Sequence, residues 1–526
     1  MNPGQRLREA GDSAVLLQLA PIIDPDVNAQ AIAIADALRQ RALPGVRDIV
    51  STFHSVAIYF DPLRADPAAL ERAIRDVAGS APRTVSGRHH EIPVSYGGED
   101  GPDLEAVAAH AHLTPAQVIT RHLETEYRVY MLGFQPGFAY MGLLDPAIAM
   151  PRRATPRLRV PAGSVGIAGR QTGIYPTASP GGWQIIGRAR TQVLESRHSG
   201  TALFAPGDRV TFRRAAPGDL LPDSVAASRR ESPAVTAFTV LRPGLLTTVQ
   251  DSGVWGRQGM GVPVGGAMDR VGHALANSAA GNPAGTAALE VTIAGPELRA
   301  ERQTTIAVAG ADLSATLDGR SVPLQTPVEC SPGSVLRFGE RLTGTRAYVA
   351  LQGGVATSLD DSAAPLVAGT TIGVGTADIR TARRVSARAA VPFGGARVRV
   401  LPGPQRQHLP SHSLDALCSG RFIVSPQSNR VGYRLIGPAL PSSSGDMISD
   451  ATFPGAIQVP PSGEPILLMA DRQTTGGYPQ VAVVISADLP LAGQLAPGDW
   501  IEFVPCSPED ARAALAAQEA MLADAR

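Results

Sequence analysis

Short apolar segments, most of them of strand length, run along this 526-residue chain between turns rich in glycine and proline. In the first eighty residues, "SAVLLQL" (13–19) and "SVAIYF" (55–60) predict strands. Helical spacing recurs over about 26–42 and again over 66–79, where Asp66 precedes a proline at the usual position of an N-cap. The pattern therefore predicts a small α+β region at the N-terminus.

Strands and turns without long helices follow on both sides of a small, polar, proline-containing stretch at 215–235. Further helices are predicted over 114–127 and 268–280. The predicted domains are an N-terminal α+β subdomain (1–85), a barrel (86–214), a linker (215–235), a second β-rich region that we expect to hold two barrel subdomains (236–506), and a C-terminal helix capped by Ser507 (507–526).

Two segments about 300 residues apart repeat the same ordered features. "VPAGSVGIAGRQTGIYP" begins at Val160 and "VPPSGEPILLMADRQTTGGYP" begins at Val459. Each joins Val-Pro, a glycine, an apolar strand, Arg-Gln-Thr and Tyr-Pro, and each is followed by Pro-Gly-Asp and a strand ending in Phe. Such ordered matches predict a barrel-like unit that is duplicated in the two halves.

Composition removes several classes of function. The net charge is zero and no basic patch is interleaved with aromatic residues, so no nucleic-acid or anionic membrane partner is expected. The three cysteines are far apart and lack metal-ligand spacing, which predicts neither a zinc site nor disulfides. No apolar run is long enough to span a membrane, and we expect a soluble, cytoplasmic protein without a metal site.

All 47 basic residues are arginine, and the chain has no lysine. A P-loop lysine, a Schiff base to a carbonyl or pyridoxal cofactor, and a biotinyl-lysine are therefore excluded from this chain. We expect no covalently bound cofactor.

The repeated segments are also the best candidates for a ligand site. Arginine offers a fixed fork of donors for a carboxylate or phosphate, while Gln, Thr and Tyr add neutral donors and acceptors. Residues at a barrel corner could equally satisfy the backbone, and spacing alone leaves both interpretations open. The predicted substrate-binding residues are Arg170, Gln171, Thr172 and Tyr175 in the first half, and Arg472, Gln473, Thr474 and Tyr478 in the second.

Other candidates carry weaker signals. Phe138 in "GFQPGFAYMG" and Trp183 in "SPGGWQIIG" could line a pocket, although aromatic packing under tight turns is the commoner use. His122 on a predicted helix is a weak candidate for proton transfer. Asp269 is a weaker one, because it also stands where a helix N-cap is expected.

Longer motifs resemble a known pair of families. Residues 11–212, with "YRVYMLGFQPGFAYMGLLDP" and "PRRATPRLRVPAGSVGIAGRQTGIYPTASPGGWQIIGR", resemble the B-type subunit of 5-oxoprolinase, also called allophanate hydrolase subunit 1. Residues 240–505, with "SNRVGYRLIGP" and "PGAIQVPPSGEPILLMADRQTTGGYP", resemble the C-type subunit, or allophanate hydrolase subunit 2. The chain is thus similar to a fusion of these two subunits.

This resemblance implies a β-rich α+β fold with cyclophilin-like β-barrels in both halves and a small N-terminal α+β subdomain. It also implies a hydrolase component that opens a cyclic amide, 5-oxoproline to glutamate, with ATP and a separate A-type subunit of 5-oxoprolinase, and that is inactive alone. Members are often labelled ATP-binding, but this chain has no nucleotide motif, so ATP is expected on the partner. Whether the protein is also a homo-oligomer is left open.

The resemblance implies two other functions as alternatives. The same modules form the carboxyltransferase part of urea carboxylase, which here would need a separate biotin carrier. Related pairs are regulatory inhibitors of a sporulation histidine kinase. Two departures bear on the substrate: Val254 stands where the C-type pattern has arginine, and a Leu-Gly-Ser-Arg-Ser-Thr motif is absent after "LQGG".

Overall fold

The N-terminal subdomain is a four-stranded antiparallel sheet in the order β1-β2-β4-β3 with two helices on one face. A computed structural model describes residues 5–80, 86–194, 202–219, 235–356, 364–442 and 447–525. The elements of this subdomain are β1 (Arg6–Glu9), β2 (Ala14–Gln18), α1 (Pro25–Gln40), β3 (Val46–Ser51), β4 (Ser55–Phe60) and α2 (Pro67–Ser80).

Both faces of this sheet are covered, which is why its two central strands are almost continuously apolar. In β4, Val56 and Ile58 pack on the helices, while Ala57 and Tyr59 point to the opposite face. That opposite face packs against Phe453 and its neighbours in the second half of the chain. The N-terminal sheet is therefore enclosed between its own helices and the second half of the chain.

The first half continues as a closed seven-stranded barrel in the order β10-β7-β6-β13-β5-β12-β9. Its first and last strands, β5 and β13, pair in parallel, and the other pairs are antiparallel. The elements are β5 (His89–Tyr96), α3 (Leu104–Ala111), α4 (Pro115–Leu123), β6 (Tyr127–Leu132), β7 (Ala139–Gly142), β8 (Arg157–Val160), β9 (Ser164–Ala168), β10 (Gln171–Ile174), β11 (Ser179–Gly181), β12 (Gln184–Ala189) and β13 (Arg209–Arg214).

The second half opens with a seven-stranded and a five-stranded sheet that share one apolar core. A buried helix, α5, packs on the five-stranded sheet. The elements are β14 (Thr236–Arg242), β15 (Leu246–Gln250), α5 (Arg270–Ala280), β16 (Ala288–Thr292), β17 (Glu297–Ala300), β18 (Thr304–Asp312), β19 (Thr316–Leu317), β20 (Arg320–Ser321), β21 (Val328–Cys330), β22 (Val335–Arg337), β23 (Thr343–Leu351), β24 (Val355–Ala356) and β25 (Thr371–Val374).

A second closed seven-stranded barrel follows, in the order β26-β33-β30-β31-β28-β27-β34. Here too the first and last barrel strands, β26 and β34, pair in parallel. The elements are β26 (Gly395–Pro402), α6 (Ser413–Ser419), β27 (Arg421–Val424), β28 (Gly432–Ile436), β29 (Asp450–Ala451), β30 (Ala456–Gln458), β31 (Ile466–Leu468), β32 (Thr475–Gly476), β33 (Gln480–Val484), α7 (Leu489–Gly493), β34 (Trp500–Pro505) and α8 (Pro508–Asp524).

Matching barrels in the two halves confirm the β-rich fold with barrels in both halves and explain the sequence repeat. The Pro-Gly-Asp motifs at 206–208 and 497–499 each lead into the strand that closes a barrel in parallel, β13 in the first and β34 in the second. One closed barrel and one pair of sheets occupy the described part of the second half, where two barrel subdomains were expected. The predicted boundaries of the subdomains stay predictions.

Helix signals in the sequence were accurate at the N-terminal ends. Asp66, Thr114 and Ser507 cap their helices through side-chain acceptors. The helix predicted over 114–127 ends at Leu123, because the chain then turns into barrel strand β6.

Most of the predicted linker, residues 220–234, lies outside the described residues. No helix in the described ranges is long and apolar enough to cross a membrane.

A buried ion network connects the sheets of the second half to its barrel. The Arg430 guanidinium donates to Glu290 Oε1 at 2.5 Å, to both carboxylate oxygens of Asp471 at 2.8 and 2.9 Å, and to the Gly266 carbonyl at 2.7 Å. Burial alone would raise the pKa of Glu290, but Arg430 and Arg346 hold that pKa below its ordinary value. Glu290 is therefore ionised, and Arg430 is its main counter-charge.

We expect Arg430→Ala to destabilise the protein by about 3–5 kcal/mol, because it leaves the buried Glu290 carboxylate without its main counter-charge. Urea unfolding followed by circular dichroism measures this change. Arg397→Ala is the matched control, since it removes an exposed arginine paired with Glu502 and should cost at most about 1 kcal/mol. Equal losses in the two variants would contradict the role given to the network.

Candidate functional site

A cavity of about 910 Å³ lies where the N-terminal subdomain, the glycine-rich stretch before α5 (residues 251–268), the second barrel and helix α8 meet. Its volume falls within the range of small-molecule sites, about 300–1,000 Å³. The wall includes Arg47 and Asp61 from the first half and Asp251, Met469 and Arg472 from the second. Both halves of the chain are thus needed to enclose it.

The glycine-rich stretch forms one wall because only glycine permits its close turns. Gly253 has φ 77°, and a Cβ there would approach the Val264 carbonyl oxygen to 2.7 Å. Gly265 donates its backbone N–H to the Ala470 carbonyl at 3.1 Å, which ties the stretch to the segment that carries Arg472. The loop and the second repeated segment therefore form one continuous wall.

Arg472 is the buried cation of this wall, and its side chain is 1% exposed. Its Nη2 donates to the Gln258 amide oxygen, and Nε has no hydrogen-bond partner. No ion pair joins it to an Asp or Glu anywhere in the part of the chain that the structure describes. Burial lowers the pKa of Arg472, and the neighbouring Tyr59 and Asp48 partly offset that effect. A buried guanidinium in this state suits an anion as partner.

Asp48 reaches this region from the N-terminal subdomain. A register shift between Val46 and Asp48 in β3 places Asp48 opposite Tyr59, on the sheet face that meets the second half. One of its oxygens, Oδ2, accepts from the Gly256 and Gln258 backbone N–H groups and from Gln258 Nε2. Burial raises the pKa of Asp48, and these hydrogen bonds oppose that rise.

The ionisable side chains of the wall leave one positive charge in excess. The wall holds four arginines and three carboxylates, namely Arg47, Arg64, Arg270, Arg472, Asp61, Asp251 and Glu519. Arg47 and Arg64 both have Asp61 as carboxylate partner, and Arg270 has Glu519. His273 also lines the cavity, and burial lowers its pKa, so its imidazole is neutral at physiological pH.

The first repeated segment lies elsewhere. Arg170 is exposed on the first barrel, where its Nε makes a long 3.4 Å contact to the Leu144 carbonyl. Gln171 is half-buried in β10, and Thr172 is buried inside the barrel. Tyr175 is buried among aromatic rings. None of the four lines the cavity.

His122 is enclosed by the first barrel. Its Nδ1 lies 2.8 Å from the Tyr96 hydroxyl and its Nε2 lies 3.0 Å from Thr172 Oγ1. The ring packs on Phe212 at 4.6 Å between centroids. Burial lowers its pKa to about 3, so the imidazole is neutral. Both ring nitrogens are therefore engaged within the core of the first barrel.

Asp269 caps helix α5, as its position at the start of the predicted helix indicated. Its Oδ1 accepts from the backbone N–H groups of Val271 and Gly272 at 3.0 and 2.9 Å. Its Oδ2 accepts from Gln494 at 2.7 Å. Burial raises the pKa of Asp269. Its oxygens thus serve the helix and the second barrel, and it is not part of the cavity wall.

The aromatic candidates pack on one another beside the first barrel. Phe138 stacks edge-on against Trp183 and Tyr175, with centroids 5.3 Å apart in both pairs. The loop that carries Phe138 also meets the second repeated segment, because the Phe134 N–H donates to Thr475 Oγ1 at 3.1 Å. The two repeated segments therefore approach each other through this loop, although only the second reaches the cavity.

The remaining members of the second segment differ in exposure. Gln473 and Tyr478 are exposed, and Thr474 is fully buried with no hydrogen-bond partner for Oγ1. Of the four predicted binding residues in this segment, only Arg472 lines the cavity. Within the described residues, no cluster of His, Cys, Asp or Glu could hold a metal ion.

Sequence reasoning missed Asp48, Gln258 and the Arg430 network. Asp48 carries the clearest signal, since it is a lone acid beside the apolar residues of "VRDIVS". Arg430 stands in the motif "SNRVGYRLIGP", but neither Arg430 nor Gln258 has a local partner that would reveal its role.

Comparison with known proteins assigns each half of the chain to a protein family. The family model "Carboxyltransferase domain, subdomain C and D" matches residues 5–204, and "Carboxyltransferase domain, subdomain A and B" matches residues 260–505. The B-type subunit of 5-oxoprolinase from Bacillus subtilis (strain 168) is 38% identical over 40% of this chain and 92% of its own length. The C-type subunit of 5-oxoprolinase from Escherichia coli (strain K12) is 34% identical over 52% of this chain and 92% of its own length.

A solved structure covers both halves at once. The crystal structure of TTHA0988 is 36% identical and superimposes with a TM-score of 0.82 over 93% of this chain and 99% of that protein. The same two modules are thus joined in one chain in both proteins. This chain belongs to the carboxyltransferase-domain family, as a fusion of two halves that are similar to the B-type and C-type subunits of 5-oxoprolinase.

Proposed function

We propose that this chain is the substrate-binding component of an ATP-dependent 5-oxoprolinase-type hydrolase, which opens a small cyclic amide together with a separate A-type subunit. The default substrate is 5-oxoproline and the product glutamate. The observation that carries the proposal is the buried Arg472, without a carboxylate partner, in the wall of a cavity between a B-type and a C-type half.

The charge of the cavity fits a small organic acid with one carboxylate. The wall has one positive charge in excess, and 5-oxoproline carries one negative charge at neutral pH. Trp255, Met268 and Met469 supply apolar surface for a compact ring beside it. In this scheme Arg472 binds the carboxylate, and the ring with its amide lies against the apolar wall.

The nucleotide is assigned to the A-type partner. This chain has no lysine and no phosphate-binding motif, and a single excess charge in the cavity is a poor match for a triphosphate. The chain then binds and orients the amide, while the partner supplies ATP. This division of labour agrees with an expected lack of activity in the isolated chain.

Carboxyltransferase activity is the second candidate, because both family models that match the chain are carboxyltransferase subdomains. In that case the cavity would take a carboxylated small molecule. The absence of lysine means that biotin would have to arrive on a separate carrier protein.

The purified chain, mixed with a candidate A-type subunit, ATP and 5-oxoproline, is expected to release glutamate, because the cavity then has its substrate and the partner its nucleotide. Enzymatic detection of glutamate measures the rate. Reactions that lack ATP, the A-type partner or this chain are the controls. Other cyclic amides are included, since Val254 replaces the arginine of the C-type pattern.

Absence of turnover with an A-type partner that is active beside its own B-type and C-type subunits would refute the hydrolase proposal. Carboxyl transfer from a biotinylated carrier in parallel reactions would support the second candidate. Tight binding to a histidine kinase without any turnover would instead support a regulatory protein.

Arg472→Met is expected to weaken binding of 5-oxoproline about 10- to 100-fold, the cost of losing a hydrogen bond to a charged group. Isothermal titration calorimetry on the full chain measures the dissociation constant. Arg472→Lys keeps the positive charge at this buried position and should retain part of the affinity. Arg170→Met is the matched control and should bind as the unmodified chain does, because Arg170 is exposed outside the cavity.

Equal affinity in the unmodified chain and in both Arg472 variants would remove the proposed carboxylate site. Thermal melting of each variant verifies that it is folded at the temperature of the titration.

A further inference from the structure

One carboxylate of the first half makes an unusually complete set of contacts to the second half. Asp48 Oδ2 accepts from the Gly256 N–H at 3.0 Å, from the Gln258 N–H at 3.0 Å and from Gln258 Nε2 at 3.2 Å. Its Oδ1 accepts from the Ile49 N–H at 2.8 Å, so it is engaged within its own strand. One oxygen thus holds the strand, and the other holds the short 3₁₀ helix Gln258–Met260 and the turn before it.

The carboxylate also decides which way the Gln258 amide faces. Asp48 Oδ2 accepts from Gln258 Nε2 as well as from two backbone N–H groups, so the amide NH₂ points to Asp48. The amide oxygen is then directed to the opposite side, where it accepts from Arg472 Nη2. Gln258 is fully buried, so neither end of this amide is exposed to bulk solvent.

We propose that Asp48 is a positioning residue for the anion site of the second half: it orients the Gln258 amide, and Gln258 in turn holds the Arg472 guanidinium at the cavity. This inference rests on the proposed function of the cavity as a carboxylate site. It adds that the first half supplies a part of that site that never touches the ligand.

Fixing the guanidinium before the ligand arrives raises affinity. A free arginine side chain has several rotatable bonds, and immobilising such a side chain on binding costs about 0.5–1.5 kcal/mol. In this chain the cost is met during folding, because the Asp48–Gln258 contacts exist without ligand. The site is therefore complete only when the two halves are docked through the face of the sheet that carries Asp48 and Tyr59.

Asp48 could instead only join the two halves, and Asp450 provides a control for that simpler role. Asp450 is a buried carboxylate of the second half that accepts from Ser55 Oγ at 2.5 Å and from Thr52 Oγ1 at 3.2 Å, both in the first half. It bonds neither Gln258 nor Arg472. Removing Asp450 therefore loosens the same interface without disturbing the path from Asp48 to Arg472.

The test compares Asp48→Ala, Gln258→Met, the double variant and Asp450→Ala in the full chain. Titration calorimetry with 5-oxoproline is expected to give about tenfold weaker binding for each single change at Asp48 and Gln258. The double variant should lose no more than either single change, since both break the same path. Asp450→Ala should melt at a lower temperature but bind within about twofold of the unmodified chain, a difference smaller than the loss of one hydrogen bond.

Asp48→Asn provides the conservative variant. It keeps an acceptor oxygen for the Gln258 donors, and its affinity should stay within about threefold of the unmodified chain. Equal losses of affinity in Asp48→Ala and Asp450→Ala would overturn the inference and leave Asp48 as an interface residue only. Unchanged affinity in Asp48→Ala would overturn it as well.

A second measurement needs no ligand and separates the inference from the proposed function. The Arg472 side chain is buried and Gln258 holds its guanidinium in place, so the ¹⁵N-resolved signal of its Nε–H, assigned with Arg472→Lys, should exchange slowly with water. Asp48→Ala and Gln258→Met should speed this exchange, while Asp450→Ala should not. If 5-oxoproline does not bind at all but these exchange rates differ as stated, the proposed ligand fails and the positioning role stands. Identical exchange in all variants would refute the positioning role.

Discussion

The candidate site depends on the hydrogen bonds and ion pairs of the buried Arg430 guanidinium. Its donors reach Glu290 in β16, the Gly266 carbonyl in the glycine-rich stretch and Asp471, the residue before Arg472. A buried charge is tolerated only when its hydrogen bonds are satisfied, so these three segments have to meet at one point. This requirement fixes the positions of the sheets, the glycine-rich stretch and the second repeated segment relative to one another.

The N-terminal sheet completes the enclosure because it is apolar on both faces. One face packs on its own helices, and the other, with Tyr59, packs on Phe453 in the second half. A sheet with a solvated face would have left the cavity open on this side. The same packing carries polar groups into the interface, and each must be paired there, which accounts for the many donors around Asp48 and Asp450.

Local signals predicted the elements of this fold well. Helix caps such as Thr114 and Ser507 act within three residues, and the two barrels repeat one order of motifs, so both are visible in the sequence. The site was harder to predict. The contact of Asp48 with Gln258 joins residues 210 positions apart, and no periodicity or motif encodes such a pairing. A lone acid in an apolar strand was the one available signal.

The two repeated segments show most clearly that one motif can have different surroundings in the folded chain. In the first half Gln171 continues directly into barrel strand β10, and Arg170 remains at the surface. In the second half the segment leaves the barrel and pairs in a separate two-stranded sheet, β29 with β32, against the first half. The N-terminal sheet therefore buries Arg472, whereas no such sheet among the described residues covers Arg170. Duplication supplies the barrel and the motif, and docking of the N-terminal sheet on one copy turns its arginine into a buried cation suited to an anion.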